Sequence, residues 1–265
     1  MKIGIFHYKI ASTDGVSLEI EKRINILESL GHTVVVVGGK FDKTIPQKSY
    51  ILKDFDIDDE INRTLVNQTI KDEKIEQIAF QKTFNERKEL VEIELDKIFE
   101  AEKFDLIIVH NIFSLPLLLW CAYALKKTIE KFNVNTVCVN HDFYFERDYF
   151  INSSNADLPK ILEDIFPTPS EVRHEVINTI ASKRLYEIHK ISSTVLGDYL
   201  DFSHTKTGID DFNSDFLLQF GIEENDLVVL QATRIVPRKA IEMSILLTAY
   251  INKRLPHFID QTLNG

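Results

Sequence analysis

The sequence predicts an α/β protein with a Rossmann-like parallel sheet, because strand-like and helix-like segments alternate along the chain. Residues 3–7 form a compact apolar segment, residues 17–30 show helical periodicity, and Gly31 ends that helix. Residues 33–37 include an unbroken run of valines. Such a run is typical of a strand that is buried on both faces of a parallel sheet. The opening segments therefore predict a βαβ unit.

Composition and charge limit the class of protein. The chain has 265 residues, of which 44% are hydrophobic, and can bury a substantial core in one large or two small domains. Its net charge of −10 argues against a general affinity for nucleic acid or for an anionic membrane, since both partners require a basic surface. Cys121 and Cys138 have no metal-binding spacing and form no plausible disulfide framework, which favours a reducing cytoplasm.

No targeting or membrane segment is predicted. Residues 1–6 lead directly into a strand, without the charged leader and long apolar stretch of a signal peptide. The most apolar stretch, residues 112–125, contains Pro116 and is too short to span a bilayer. We therefore expect a cytoplasmic protein without a strong membrane signal.

A densely charged segment follows the βαβ unit. Residues 57–102 carry apolar side chains at helical spacing, which predicts one or two amphipathic helices with solvated outer faces. We treat residues 55–103 as a helical insertion and assign no chemistry to it. A cap, a dimer contact or an acceptor-side insertion are all compatible with this pattern.

Two predicted strands end in histidine. Residues 104–110 finish at His110, and residues 134–140 are followed directly by His141. Polar residues at the carboxyl ends of parallel strands face the edge of the sheet where α/β proteins bind ligands. A single histidine at such a point is more often a structural hydrogen-bonding group, but two at equivalent points favour a ligand site as much as a structural role.

Ionisable and aromatic side chains alternate after the second of these strands, in residues 141–150. The aromatic rings have two interpretations: they belong to the core, or they bind the apolar faces of a sugar while Asp142 and its neighbours bind hydroxyl groups. Arg147 is a candidate for binding an anionic acceptor group, a carboxylate or a phosphate.

A βα unit with a cationic turn is predicted near the end of the sequence. Residues 227–230 have strand character, Pro237 marks the turn, and a helix is predicted over residues 243–255. Arg234 and Lys239 lie in the turn, beside the helix N-terminus, where backbone N–H groups and cations bind phosphate together. The alternative is that both are solvated surface cations.

The segment from residue 227 to 242 resembles the start of the second domain of retaining glycosyltransferases of family 4, which have the two-domain GT-B fold. In that family an Arg and a Lys at the positions of Arg234 and Lys239 hold the diphosphate of a nucleotide-sugar donor. The sequence departs from the family at Thr233 and Ala240, where glycine is usual. Both residues are small enough to let a ligand approach the backbone.

The resemblance extends into the first part of the chain. His141 matches the family's histidine that contacts the donor sugar at the reaction centre, and we expect it to be catalytic. His110 matches the histidine that ends the preceding strand and lines the same cleft. Gly15 lies in the position of the family's glycine-containing first loop, on the acceptor side.

The resemblance also implies a domain organisation. Residues 1–195 correspond to an N-terminal, acceptor-side Rossmann-like domain, residues 196–222 to an interdomain linker, and residues 223–265 to the start of a donor-binding domain. Few residues follow this start, so we expect an incomplete GT-B fold, truncated within the donor domain, with little or no activity alone.

The function implied is transfer of a hexosyl group from a nucleotide-diphosphate sugar to a small or glycosidic, soluble acceptor. The nucleotide sugar is then a substrate, and neither a cofactor nor a metal is expected; a homo-oligomer remains open. The alternative is a non-catalytic module that binds a sugar or a phosphorylated ligand, or a fragment that a partner chain completes.

Overall fold

The computed structural model of the protein describes residues 1–70, 77–167, 172–199, 208–223 and 226–263. The chain divides into two compact units, Met1–Leu200 and Asp201–Gly265. The predicted linker, residues 196–222, lies partly outside the described residues.

The strands are β1 Lys2–Phe6, β2 Lys9–Ile10, β3 Thr33–Gly38, β4 Lys40–Phe41, β5 Lys48–Ile51, β6 Leu106–His110, β7 Asn135–Asn140, β8 Val172–Val176 and β9 Thr194–Val195. The α-helices are α1 Gly15–Ser29, α2 Glu60–Ile70, α3 Gln77–Glu102, α4 Leu119–Phe132, α5 Asp148–Ile151, α6 Leu158–Ile165, α7 Thr179–His189, α8 Phe216–Gln219 and α9 Ile241–Leu263. Short 3-10 turns cover Lys53–Phe55, Tyr144–Glu146 and Pro237–Lys239.

Seven strands form one parallel sheet in the order β5-β3-β1-β6-β7-β8-β9. This confirms the predicted α/β class with a Rossmann-like parallel sheet. The chain moves outward from β1 through β3 to β5 and then returns to the other side of β1 with β6. The strand order thus reverses between β1 and β6, and open α/β sheets bind ligands at the carboxyl edge beside such a reversal.

Both faces of the sheet are covered, as the valine run predicts. On one face Ile3, Ile5, Val34 and Val36 pack with Ile20 of α1. The alternate residues of the same strands point to the other face, because side chains alternate along a strand. There they join a larger core with the inner faces of α3 and α4, whose members include Phe6, Val37, Val91, Leu95, Trp120 and Leu125.

The charged segment forms α2 and α3, which confirms the predicted amphipathic helices. Glu102, at the end of α3, is buried and forms ion pairs with Lys2 and Lys48. Burial by itself raises the pKa of this carboxyl, but hydrogen bonds from Lys48, Tyr50 and Lys2 outweigh it and lower the pKa to about 2. The insertion is thereby tied to the strand β1 at the amino edge of the sheet.

Two features of the first unit differ from the sequence prediction. The strand β8 was not predicted, because it is only five residues long and its three central residues, Arg173, His174 and Glu175, are polar. Nor were the short strands β2, β4 and β5. Local patterns of this length are weak, and pairing with a neighbouring strand stabilises them.

The second unit contains α8, α9 and the turn between Thr233 and Ala240. The predicted strand over residues 227–230 is not formed in the described part of the chain, and Leu227 and Leu230 are 70% and 74% exposed. A strand requires a neighbour for its backbone hydrogen bonds, and no described strand pairs with this segment. The predicted helix is present and runs from Ile241 to Leu263.

Gly39 provides a test of the packing between β3 and the turn that follows β5. A Cβ atom at Gly39 would lie 2.1 Å from the carbonyl carbon of Phe55 and 2.2 Å from the backbone nitrogen of Asp56. Gly39→Ala is therefore expected to lower the free energy of unfolding by about 2 kcal/mol or more, because backbone must shift to admit the methyl group. Urea unfolding measures this change. Gly15→Ala is the matched control, since a Cβ there meets no atom within 4 Å; equal losses in the two variants would contradict the prediction.

Candidate functional site

Three histidines meet at the carboxyl edge of the sheet, where β1, β6 and β7 end side by side. His7 follows β1, His110 is the last residue of β6, and His141 follows β7. His7 Nδ1 donates to the carbonyl oxygen of His110 at 2.8 Å, and His110 Nδ1 lies 3.2 Å from His141 Nε2. We call these three residues the histidine cluster. The cluster lies at the carboxyl ends of β1 and β6, where the strand order reverses, and it includes the residue that follows β7.

The cluster is held in the neutral state by burial. Loss of hydration lowers the pKa of His7 to about 4 and the pKa of His110 well below its ordinary value. Burial also lowers the pKa of His141, against an opposing effect of the Asp198 carboxylate. Neutral imidazole has one donor nitrogen and one acceptor nitrogen, so the His110–His141 contact shares a single proton.

His141 is the member of the cluster nearest to solvent, with 9% of its side chain exposed. Its Nδ1 lies 3.4 Å from Asp198 Oδ1, and its ring stacks on that of His110 with an interplanar angle of 20°. His110 is fully buried, and its Nε2 has no hydrogen-bond partner among the described residues. His110 therefore reaches the edge of the sheet only through His141. A ligand hydroxyl at His141 has to replace the Asp198 carboxylate at Nδ1, because Nε2 already faces His110.

Asp142 and Arg147 form an ion pair in the loop after β7. Arg147 is 20% exposed and Asp142 40% exposed, so the pair faces solvent. A second pair follows, in which Arg184 of α7 lies 3.8 Å from Glu146. An anionic ligand at Arg147 has to share or replace the Asp142 carboxylate, which the guanidinium fork permits because it has several donors.

The aromatic residues of this loop mostly belong to the core. Phe143 is buried with Phe166, Val176 and Leu185, in agreement with the core interpretation for this residue. Phe145 is half-buried and stacks on Phe143 at 4.7 Å between ring centroids. The hydroxyl of Tyr144 lies 2.9 Å from His189 Nε2, and burial raises the pKa of Tyr144 to about 12.

His174 of β8 lies beneath this loop as a structural histidine. Its ring stacks on Phe166, its Nε2 donates to the carbonyl of Pro167 at 3.3 Å, and its Nδ1 faces the side chain of Asn140. Burial lowers the pKa of His174 to about 4. It differs from His141 in its surroundings, because only 3% of His174 is exposed and both of its nitrogens face buried groups.

Gly15 begins α1, directly after the N-cap residue Asp14. The Asp14 carboxylate accepts hydrogen bonds from the backbone nitrogens of Val16 and Ser17 at 3.1 Å. A negative charge already occupies this helix N-terminus, which disfavours a phosphate there. The space around Gly15 Cα is open, so the absence of a side chain leaves room for a ligand and relieves no packing conflict.

Arg234 and Lys239 lie in the second unit, where both are exposed. No described residue forms an ion pair with either of them. The turn is closed by hydrogen bonds from Lys239 N–H to Val236 and from Ala240 N–H to Pro237. Ala240 has a φ of 47°, a left-handed conformation that favours glycine. This is the position at which the glycosyltransferases of family 4 usually have glycine.

Sequence reasoning did not identify three residues of this site. They are His7, which belongs to the histidine cluster, and Asp198 and Asn111, which contact His141. His7 had a detectable signal, because it is a third histidine at the end of a predicted strand.

Among the described residues, no group of three or more His, Cys, Asp and Glu side chains has metal-binding geometry. In the same part of the chain no helix is long and apolar enough to cross a membrane.

The parallel sheet, covered on both faces and with a reversal of strand order, defines this unit as a Rossmann-like α/β domain. No protein-family model matches the chain. In sequence the chain is similar to two proteins named mannosylglucosylglycerate synthase. One, from Petrotoga mobilis, is 34% identical over 270 residues, which cover 100% of this chain and 60% of the relative. The other, from Thermotoga maritima, is 34% identical over 261 residues, which cover 96% of this chain and 58% of the relative.

The similarity relates the chain to glycosyltransferases. The chain spans about three fifths of the length of these curated relatives. Two solved structures show a weak likeness to the chain. Arabidopsis thaliana UGT89C1 complexed with UDP has a TM-score of 0.45 and 11% identity, and the match covers 82% of this chain and 54% of that chain. UDP-GlcNAc 2-epimerase from Methanocaldococcus jannaschii has a TM-score of 0.39 and 15% identity, and the match covers 75% of this chain and 46% of that chain. At these scores neither likeness decides a function.

The buried histidines predict a loss of stability in acid. His7 and His174 have pKa values of about 4 in the folded chain. The unfolded chain binds protons at the ordinary histidine pKa of about 6.5, so the free energy of unfolding falls as the pH drops below that value. Between pH 7 and pH 5 the loss is roughly 2 kcal/mol for each histidine.

Urea unfolding at several pH values tests this dependence. His174→Gln removes one titrating group and keeps hydrogen-bonding atoms at the site, so its stability should vary less with pH than that of the parent. If the free energy of unfolding of His174→Gln depended on pH as strongly as that of the parent, His174 would not contribute to the loss of stability in acid.

Proposed function

We propose that the chain forms part of a glycosyltransferase that moves a hexosyl group from a nucleotide-diphosphate sugar to an acceptor bearing a carboxylate. The observation that carries this proposal is the similarity along the whole chain to proteins named mannosylglucosylglycerate synthase. That name describes a product composed of mannose, glucose and glycerate. We accordingly propose mannose as the transferred sugar and a glucosylglycerate-like compound as the acceptor.

The proposed mechanism follows from the charges that develop during transfer. Cleavage of a glycosyl–diphosphate bond passes through an oxocarbenium-like state while negative charge grows on the leaving group. We assign Arg234 and Lys239 to the diphosphate, because they are exposed cations without ion-pair partners in the described part of the chain. The cations are held beside a helix N-terminus, which adds free N–H groups. A retaining reaction of the family-4 type, without a metal or cofactor, belongs to the same proposal.

We assign the first unit to the donor sugar and the acceptor. We place a sugar hydroxyl at Nδ1 of the neutral His141, in exchange for the Asp198 carboxylate. Arg23 and Arg147 are both paired with carboxylates, so neither is a free cation that would attract a second phosphate. Arg147 is the proposed partner of the acceptor carboxylate, in exchange for Asp142. Open space at Gly15 admits the acceptor close to the backbone of the first loop.

The experiment that tests the function is a transferase assay with defined donors and acceptors. The chain, together with whatever the same reading frame encodes on either side of it, is incubated with GDP-mannose or UDP-glucose and with glucosylglycerate, glycerate or glucose. Mass spectrometry then identifies the product. We expect a mannosylated glucosylglycerate; no transfer and no binding of any nucleotide sugar in calorimetry would reject the proposal.

Removal of the two proposed diphosphate cations should abolish donor binding. Arg234→Ala combined with Lys239→Ala removes two charge-assisted contacts, so the Kd for the nucleotide sugar should rise about 100-fold or more. Calorimetric titration of the same protein measures this change. Lys253→Ala is the matched control, because Lys253 is an exposed cation of the same unit. An unchanged Kd in the double variant would remove both residues from the donor site.

Arg147 should affect the acceptor and not the donor. Arg147→Gln keeps a polar side chain but removes the charge, so the KM for a carboxylate-bearing acceptor should rise about tenfold with the donor KM unchanged. Arg184→Gln removes the cation of α7 that pairs with Glu146 of the same loop, and it serves as the control. If Arg147→Gln raised the KM for a neutral acceptor as much as the KM for the acidic one, Arg147 would not be the residue that binds the carboxylate.

A further inference from the structure

Asn111 lies directly after β6, one residue beyond His110, and only 5% of it is exposed. Its backbone has a φ of 56°, in the left-handed region. Asparagine enters this region more readily than most residues other than glycine, because its short polar side chain can hydrogen-bond locally. The conformation turns the side chain of Asn111 toward the neighbouring loop, where it makes its contacts.

The side-chain oxygen of Asn111 accepts hydrogen bonds from two consecutive backbone N–H groups of the loop after β7. Oδ1 lies 2.7 Å from the nitrogen of His141 and 3.3 Å from that of Asp142. Ser114 Oγ is a third donor to the same oxygen, at 3.3 Å. In the opposite direction, the N–H of Asn111 donates to the carbonyl of Val139 in β7 at 3.0 Å. The ends of β6 and β7 are thus joined by bonds that run both ways.

These bonds fix the backbone from which the His141 side chain projects. A second bridge, from Tyr144 N–H to the carbonyl of Ser114 at 2.6 Å, holds the same loop three residues further on. With the loop in this place, His141 Nε2 lies within hydrogen-bond distance of His110 Nδ1. Hydrogen bonds weaken steeply with distance and angle, so a shift of this backbone would break the contact between the imidazoles.

We infer that Asn111 is a positioning residue, which holds His141 in place for the donor sugar; this inference rests on the proposed function. Asn111 acts through His141 and is not assigned a contact with the substrate. An asparagine supplies the acceptor oxygen without placing a negative charge beside the imidazoles. A carboxylate at the same place would make the same hydrogen bonds and would favour protonated His141.

The binding test compares two asparagines that share the left-handed conformation. Asn111→Ala removes the acceptor oxygen. Asn133→Ala imposes the same backbone cost at the C-terminus of α4, before the amino end of β7, whereas His141 follows the carboxyl end of that strand. In Asn111→Ala the Kd for a nucleotide sugar should rise about tenfold, while the Kd for the nucleotide diphosphate without the sugar stays unchanged. In Asn133→Ala both values should match those of the parent. At a pH at which His141 stays neutral, Asn111→Asp, which retains an acceptor oxygen, should keep the affinity for the nucleotide sugar within about threefold of the parent.

A second measurement does not depend on donor binding. Nitrogen-15 NMR of the His141 imidazole reports its pKa and the nitrogen that carries the proton. In Asn111→Ala the pKa should rise toward the ordinary value, because His141 loses part of the burial that lowers it; in Asn133→Ala it should stay as in the parent.

The outcomes separate the positioning role from the proposed function. If the parent binds no nucleotide sugar, the proposed function fails, and the NMR result alone decides the role of Asn111. A His141 pKa and tautomer in Asn111→Ala equal to those of the parent would overturn the inference. The inference would also be overturned if Asn111→Ala raised the Kd for the nucleotide sugar and the Kd for the nucleotide diphosphate equally, because equal rises would indicate a general structural effect.

Discussion

The first unit depends on the parallel pairing of β1 with β3 on one side and with β6 on the other. Because β1 is central and covered on both faces, its alternate side chains belong to two separate cores, one against α1 and one against α3 and α4. The same pairing brings the carboxyl ends of the strands to one edge. His7, His110 and His141 meet there as a consequence of topology, although more than a hundred residues separate the first from the last.

Burial determines what this edge can bind. The histidines are shielded from water, so they are neutral hydrogen-bonding groups near neutral pH. The charged side chains around them are paired: Arg23 with Glu175, Arg147 with Asp142, and the Asp14 carboxylate with the N-terminus of α1. Such an edge suits sugar hydroxyls better than phosphates. The exposed cations Arg234 and Lys239 of the second unit have the opposite character, which supports separate roles for the two units in the proposed transfer.

The similarity to the two named relatives covers both units of the chain, and it relates the sequence to glycosyltransferases. Ala240 of the second unit has a left-handed backbone, the conformation that a glycine would adopt without strain.

The sequence by itself determined the α/β class, the long helices and the strands β1, β3, β6 and β7, because apolar periodicity and unbroken valine runs are local signals that tertiary contacts reinforce. It also identified His110 and His141, since both stand at strand ends. Only the tertiary structure decided that His110 is buried behind His141, that His7 joins them, and that Asn111 ties the two loops together. It also decided against a strand at residues 227–230, where the apolar pattern is right but no described strand supplies the hydrogen bonds. Those outcomes depend on which strands are neighbours, and strand order is a property of long-range pairing that no local sequence window contains.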